Sequence, residues 1–204
     1  MKIFLAGAKN LKHLDLPVQT KIMSICRANH DILVGDCYGV DSAVQKLCAD
    51  VGYPHVTVYA SNGKARNNIG NWKVKNIPVE KQMQGFAFYR QKDIAMGMDA
   101  DCGFMIWDGK SKGTLRNIIQ LILDHKFVLI YLAPHQALIP VDRTVSSRDP
   151  KALCVPAAET YPTGAEPDLH FQLTRSTYKN RTGDCTIFCA VSGFGVIGGR
   201  RRSR

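Results

Sequence analysis

CGFMIWDGKSKGTLRNIIQLIL, residues 102–123, decides how this chain is to be read. Its first six residues are almost wholly apolar, the form a strand takes when both faces of its sheet are covered. Its last nine, LRNIIQLIL, set apolar side chains at helical spacing. Between them WDGKSKGT crowds glycine, lysine, serine and threonine into one short turn. Buried strand, small cationic turn and amphipathic helix together make half of a βαβ unit.

The same alternation runs through the first two thirds of the chain. KIFLAG, DILVGD, HVTVYA and FVLIYLA are further apolar runs, which brings the strand candidates to five with CGFMIW. VQTKIMSICRAN, VDSAVQKLCADVG, FAFYRQKDIAMGMDA and TLRNIIQLILDH carry helical periodicity between them. The pattern predicts an α/β fold: a Rossmann-like, doubly wound parallel sheet of about five strands. Right-handed crossovers with one reversal after the first strand give the order 3-2-1-4-5. Residues 61–84, SNGKARNNIGNWKVKNIPVEKQMQ, break the rhythm with a polar, basic segment and a lone Trp72. Such a length suits a functional or poorly ordered loop better than a connection.

Past Pro134 lysine gives way to arginine. The shift predicts a domain over 1–134 and a C-terminal extension over 135–204. In that extension HFQLTRSTY and CTIFCAVSGF can pair as a hairpin across KNRTGD, or the segment is a disordered accessory tail. The terminal RRRSR reads first as a solvated charge run.

Composition narrows the class of protein. The chain has 204 residues, 45% of them hydrophobic, which is ample for a packed core. No window reaches the roughly 18 apolar residues of a membrane span, and Lys9 interrupts IFLAGA before it could act as a signal peptide. A soluble, cytoplasmic protein is expected, with no membrane partner. The seven cysteines form no CxxC pair, and Cys26, Cys48 and Cys102 fall at core-facing positions, so neither a metal site nor a cofactor is expected. A formal charge of +10 favours an anionic partner without naming it.

In an open α/β sheet ligands gather at the carboxyl ends of the strands. Three glycine-bearing turns meet there: AGAKN with Gly7 and Ala8, GDCYGVD with Gly35, Tyr38, Gly39 and Asp41, and the DGKSKGT turn. Glycine lets backbone N–H groups approach an anion, and the helix starting near Gly113 and Thr114 points its positive end the same way. The last turn is therefore expected to cradle phosphate. It is no Walker loop, because Gly103 stands one residue too far from Gly109, and AGAKN lacks the glycines of a dinucleotide fingerprint.

The ordered set GDCYGVDSAVQ, a Trp-bearing basic loop, FYRQKDIAMGMDAD and WDGKSKGTLRNI resembles the SLOG superfamily, which groups the DNA-processing protein A fold with the lonely-guy nucleotide hydrolases. More narrowly it is similar to small bacterial and phage domains with a GGARGAD-like turn and a WDGxSxGT turn. The resemblance covers about residues 1–134 and implies a Rossmann-like sheet whose glycine turns bind nucleotides or nucleotide-derived ligands, often in a homo-oligomer. It matches Gly35, Gly39 and Asp41 to the second-strand turn, Arg90 to an arginine on the helix before the fourth strand, and Asp108, Gly109, Ser111, Gly113 and Thr114 to the phosphate turn. Two departures stand out. Asn117 occupies the place of the glutamate that serves glycosidic cleavage in the hydrolase branch, and an amide cannot replace a carboxylate base. Asp36, Cys37 and Tyr38 alter the GGAR-like turn, and Asp36 is expected to repel phosphate.

Three readings stay open. The first is a binding or sensor domain for a nucleotide-like small molecule. In it Ser111, Gly113 and Thr114 hold phosphate, Lys110, Lys112 and Arg90 neutralise it, and Tyr38 or Trp72 stacks on a base. The second is an enzyme cleaving an N-glycosidic bond through Asp41, Asp108 or Glu80, although Asp41 also suits a helix cap. The third is single-stranded nucleic-acid binding by the basic loop from Lys64 to Lys81 and the arginine tail.

Overall fold

The computed structural model describes residues 1–80, 82–141, 171–180 and 183–191. The first compact unit spans Met1–Val155. Its strands are β1 (Lys2–Gly7), β2 (Asp31–Gly35), β3 (Val56–Ser61), β4 (Lys73–Ile77), β5 (Cys102–Trp107), β6 (Phe127–Leu132) and β7 (Ala137–Val141). Its helices are α1 (Leu16–Arg27), α2 (Val40–Asp50), α3 (Gly85–Asp99) and α4 (Lys112–Leu123). All seven strands join one sheet in the order β4-β3-β2-β1-β5-β6-β7. Every neighbouring pair is parallel except β6 with β7.

The α/β class and the parallel centre agree with the sequence, but the sheet has seven strands where five were expected. The five apolar runs occupy its middle, and the two additions lie at its edges. Residues 61–84, expected to be a loop, contain β4, which pairs with β3 from Thr57↔Lys73 to Ser61↔Ile77. The crossover from β3 to β4 uses no helix; it is tied down by the buried Gln45 of α2. The Gln45 amide donates to the carbonyls of Gly35 (2.9 Å) and Asn67 (3.3 Å) and accepts from the Ile69 N–H at 3.0 Å. A loop can substitute for a crossover helix here because its backbone polar groups find these partners. At the other edge β7 carries the sheet past residue 134. It places Pro140 opposite Leu129, in a strand at the end of the sheet order, where proline is tolerated.

Alternation along each strand divides the core in two. Ile3, Leu5, Ile32 and Val34 face α1 and α2, meeting Val18, Ile22, Val44 and Cys48. Phe4, Leu33, Met105 and Ile130 face the opposite way, against Met96 of α3 and Ile118 and Leu121 of α4. Cys48 is fully buried as expected, while Cys26 and Cys102 are only partly so. No helix among the described residues is long and apolar enough to cross a membrane.

The second unit spans Pro156–Arg204. Within it β8 (Phe171–Asn180) and β9 (Gly183–Val191) pair antiparallel, the first of the two alternatives left open for HFQLTRSTY and CTIFCAVSGF. The terminal RRRSR lies outside the described residues.

Candidate functional site

Parallel strands send the turns after β1, β2 and β5 to one edge of the sheet, together with the amino-terminal ends of α2, α3 and α4. The turn after β5 is held by its own side chains. Asp108 Oδ1 accepts the N–H groups of Lys110 (2.9 Å) and Ser111 (2.7 Å), the arrangement of an Asx turn. Gly109 takes a φ of 76°, a conformation that favours glycine. The buried Trp107 indole donates to the Ser111 carbonyl at 3.1 Å and pins the turn to the core. Ser111 then caps α4, its Oγ accepting from the Thr114 N–H (3.4 Å) and the Thr114 hydroxyl (3.0 Å). An α-helix leaves its first N–H donors without intrahelical partners. Asp108 and Ser111 take up two of those near this terminus, and the N–H groups of Lys112 and Gly113 have no partner among the described residues.

Gly113 sits inside the first turn of α4 and is not among the glycines with positive φ; Gly109 holds that role in the turn. A Cβ added at Gly113 meets only Phe86 Cε2 at 3.9 Å and Ser111 Oγ at 4.0 Å, ordinary contacts. Neither backbone conformation nor packing therefore asks for glycine at this position. Gly97, inside α3, is likewise free of contacts, but the glycines of the other two turns differ. A Cβ at Gly7 collides with the Ile106 carbonyl and Val40, and one at Gly39, where φ is 83°, collides with the Lys9 backbone. Packing accounts for both, and Ala8, fully buried, donates its N–H to Ile106 at 3.0 Å.

Gly35 forms a saddle at the top of β2. A side chain there would strike Asp41 and Lys92, which come from α2 and α3 on opposite faces and meet over the missing Cβ. Lys92 Nζ lies 2.8 Å from Asp93 Oδ1 and 3.9 Å from Asp41 Oδ2, and its side chain is 3% exposed. Asp41 also accepts the Cys37 N–H at 3.2 Å, so its carboxylate secures the β2 turn, while Gly39 takes the N-cap position of α2. Burial pushes the Asp41 pKa up to about 6 against the pull of Lys92. Desolvation works to lower the Lys92 pKa, but the Asp93 and Asp41 carboxylates outweigh it and raise it above the ordinary value. Lys92 escaped the sequence reading. Its only signal was a lysine sharing a helical stripe with Met96.

Asp36 does not stand as a bare charge in the turn. Arg66, from the β3–β4 crossover, grips it with Nε at 3.0 Å and Nη2 at 2.7 Å and adds its own backbone N–H at 3.1 Å. Burial works to raise the Asp36 pKa, yet the Arg66 hydrogen bonds hold it below the ordinary carboxylate value. The expected repulsion of phosphate is thereby offset. The Arg66 guanidinium also lies 4.4 Å from the centre of the Tyr89 ring, and that of Arg116 lies 4.6 Å from the Phe86 ring.

The remaining sequence candidates scatter. Trp72 is remote from the carboxyl edge: it precedes β4, packs on the core and donates its indole N–H to the Tyr53 carbonyl at 2.8 Å. A base cannot stack on it at this edge. Tyr38 is exposed in the β2 turn, Arg90 is half-buried on α3, and Lys110 and Lys112 are exposed beside Gly113. Glu80 lies exposed beyond β4, and Asn117 is buried in α4. Among the described residues no group of three or more His, Cys, Asp or Glu could hold a metal ion. A hollow of about 280 Å³ opens at the opposite, amino-terminal end of β1, β5 and β6, lined by Ile3, Ile25, His30, Cys102 and Phe127. It shares no residue with the turns.

Neither a protein-family model nor a curated protein matches this chain.

Proposed function

We propose that the chain binds a nucleotide or nucleotide-derived small molecule, with phosphate seated on the turn from Asp108 to Thr114. The observation that carries this reading is Gly113, a glycine in a helical first turn that the fold does not require. Glycine there costs up to about 1 kcal/mol against alanine. Leaving the Lys112 and Gly113 N–H groups open to a bulky anion gives the residue a use. Lys110, Lys112 and Arg116 flank the same turn, and none of them forms a salt bridge among the described residues. The helix dipole adds to their attraction for phosphate. Membership of the SLOG superfamily is part of this proposal, resting on the motifs from GDCYGVD to WDGKSKGT.

Binding is placed ahead of cleavage because the candidate carboxylates have other employment. Asp41 is held by Cys37 and faces Lys92, Asp108 closes the Asx turn, and Glu80 stands exposed beyond β4. A thermal-shift panel of nucleoside mono-, di- and triphosphates with their nucleosides tests the reading. A ligand present at 100 times its Kd should stabilise by about 2.7 kcal/mol. Stabilisation by nucleotides and not by nucleosides is expected, and no response to any phosphorylated ligand would overturn the proposal.

A further inference from the structure

Phe86 and Tyr89 project from the first turns of α3, 50% and 42% exposed. Three residues apart, they share one helix face with Arg90. An arginine from a different element covers each ring: Arg116 of α4 over Phe86, and Arg66 of the β3–β4 crossover over Tyr89. Arg66 is fixed by its paired hydrogen bonds to Asp36, so the Tyr89 pair is prearranged. Phe86 is the ring that a Cβ on Gly113 would approach, at 3.9 Å. The strip therefore runs from the turn after β5 to the turn after β2 and offers two aromatic rings in sequence. Along it Arg90, Lys110, Lys112 and Arg116 form no salt bridge among the described residues.

Exposed rings interleaved with uncompensated cations fit a ligand that is both planar and anionic. Two rings require two planar groups. The Cβ atoms of such a pair lie about 5–6 Å apart on a helix. Neighbouring bases stacked in a strand rise only about 3.4 Å. Each ring therefore suits one base of an unstacked pair, with the joining phosphate beside the arginines. We propose that Phe86 and Tyr89 are consecutive base-stacking positions, and that the ligand contains at least two bases joined through a phosphodiester, as in a free dinucleotide or a single strand. This rests on the phosphate reading of the α4 turn and extends it from one nucleotide to two.

The test compares deoxyadenosine monophosphate, the 5′-phosphorylated deoxyadenylate dinucleotide and a fluorescein-labelled single-stranded deoxyadenylate octamer, by calorimetry for the first two and anisotropy for the third. Both aromatic side chains are exposed, so alanine variants should retain the fold, as circular dichroism would verify. The dinucleotide should bind about tenfold more tightly than the monophosphate. Tyr89→Ala should remove that advantage and leave the monophosphate unaffected, Tyr89→Phe should restore it, and Phe86→Ala should weaken all three ligands. Octamer binding much tighter than dinucleotide binding would identify a strand as the ligand, and equal binding a free dinucleotide. A dinucleotide no better than the monophosphate, an advantage that survives Tyr89→Ala, or equal binding of the octamer when annealed into a duplex would each overturn the proposal. Gly113→Val tests the phosphate turn separately: monophosphate affinity unchanged in that variant would overturn the phosphate reading, whereas monophosphate binding lost in Gly113→Val with a dinucleotide advantage that survives Tyr89→Ala would overturn the stacking positions alone.

Discussion

Replacing Gly113 with valine separates a connector from a cradle. The structure gives the new Cβ ordinary contacts at 3.9 and 4.0 Å, so no clash is built in. In a helix valine is favoured over glycine by a few tenths of a kcal/mol. Folding stability should therefore change by less than about 0.5 kcal/mol, and Tm by about 2 °C at most in a chain of this size. Binding should respond quite differently. A helical Cβ leans toward the amino terminus, so a branched side chain at this position crowds the approach to the Lys112 and Gly113 N–H groups. Hydrogen bonds to a charged acceptor contribute about 1.5–3 kcal/mol each. Losing one lowers affinity at least about tenfold. Calorimetry with the best nucleotide from the panel, beside a thermal melt, reads both quantities on one preparation. Unchanged affinity in a folded variant would refute the reasoning, because the space in front of α4 would then be irrelevant to the ligand.

Arg90→Ala should weaken phosphorylated ligands more than their nucleosides, since guanidinium recognition of phosphate is charge-assisted; equal loss for both would remove Arg90 from the phosphate. Lys92→Met leaves the buried Asp41 and the partly exposed Asp93 without their cation and should cost about 3–5 kcal/mol in urea unfolding, whereas a loss under 1 kcal/mol would mean that the charge is not held as tightly as the geometry implies. The folded-state pKa of Asp41 is raised by burial to about 6 from 3.8, so its contribution to stability is fully present below pH 3.8 and is lost as pH rises through about 6. That contribution is worth about 3 kcal/mol. Asp36 has the opposite sign: its folded pKa is lowered, and its contribution is lost as pH falls below 3.8. Urea midpoints across pH 4 to 7 should accordingly drop less steeply in Asp41→Asn than in the parent, and identical slopes would dissociate Asp41 from the titration.

The parts of the fold visible in the sequence were those whose residues announce burial. DILVG and CGFMIW can only be inner strands, because so many adjacent apolar side chains must be covered on both faces. β4 announces nothing: KVKNI exposes both lysines at the sheet edge, and its pairing is decided by β3 and by Gln45 rather than by its own composition. β7 was hidden by Pro140, which argues against a strand everywhere except at an edge. The turn from Asp108 to Thr114 was legible because Asx turn, cap and helix start are all local in sequence. The pairing of Asp36 with Arg66 and the meeting of Asp41 with Lys92 join distant stretches of chain, where no spacing rule reaches. Trp72 shows the opposite error, an aromatic in a basic loop that suggested a ligand and serves the core.

The order of the strands also bears on how the chain reaches this state. β1 to β4 lie side by side in chain order, as do β5 to β7, so each half of the sheet can zip by adding its next neighbour in sequence. A single seam, β1 against β5, joins the halves, bringing Ile3 beside Cys102 and Leu5 beside Phe104. Closing that long loop carries the largest entropic cost in the sheet, and contacts of such sequence separation are the ones that slow folding. α3, which packs on β1 through β4 and leads directly into β5, brings the seam's second strand to its first. The seam is thus the step at which two separately growing half-sheets become one cooperative unit, and substitutions along Ile3, Leu5 and Phe104 should retard refolding more than equally buried substitutions within either half.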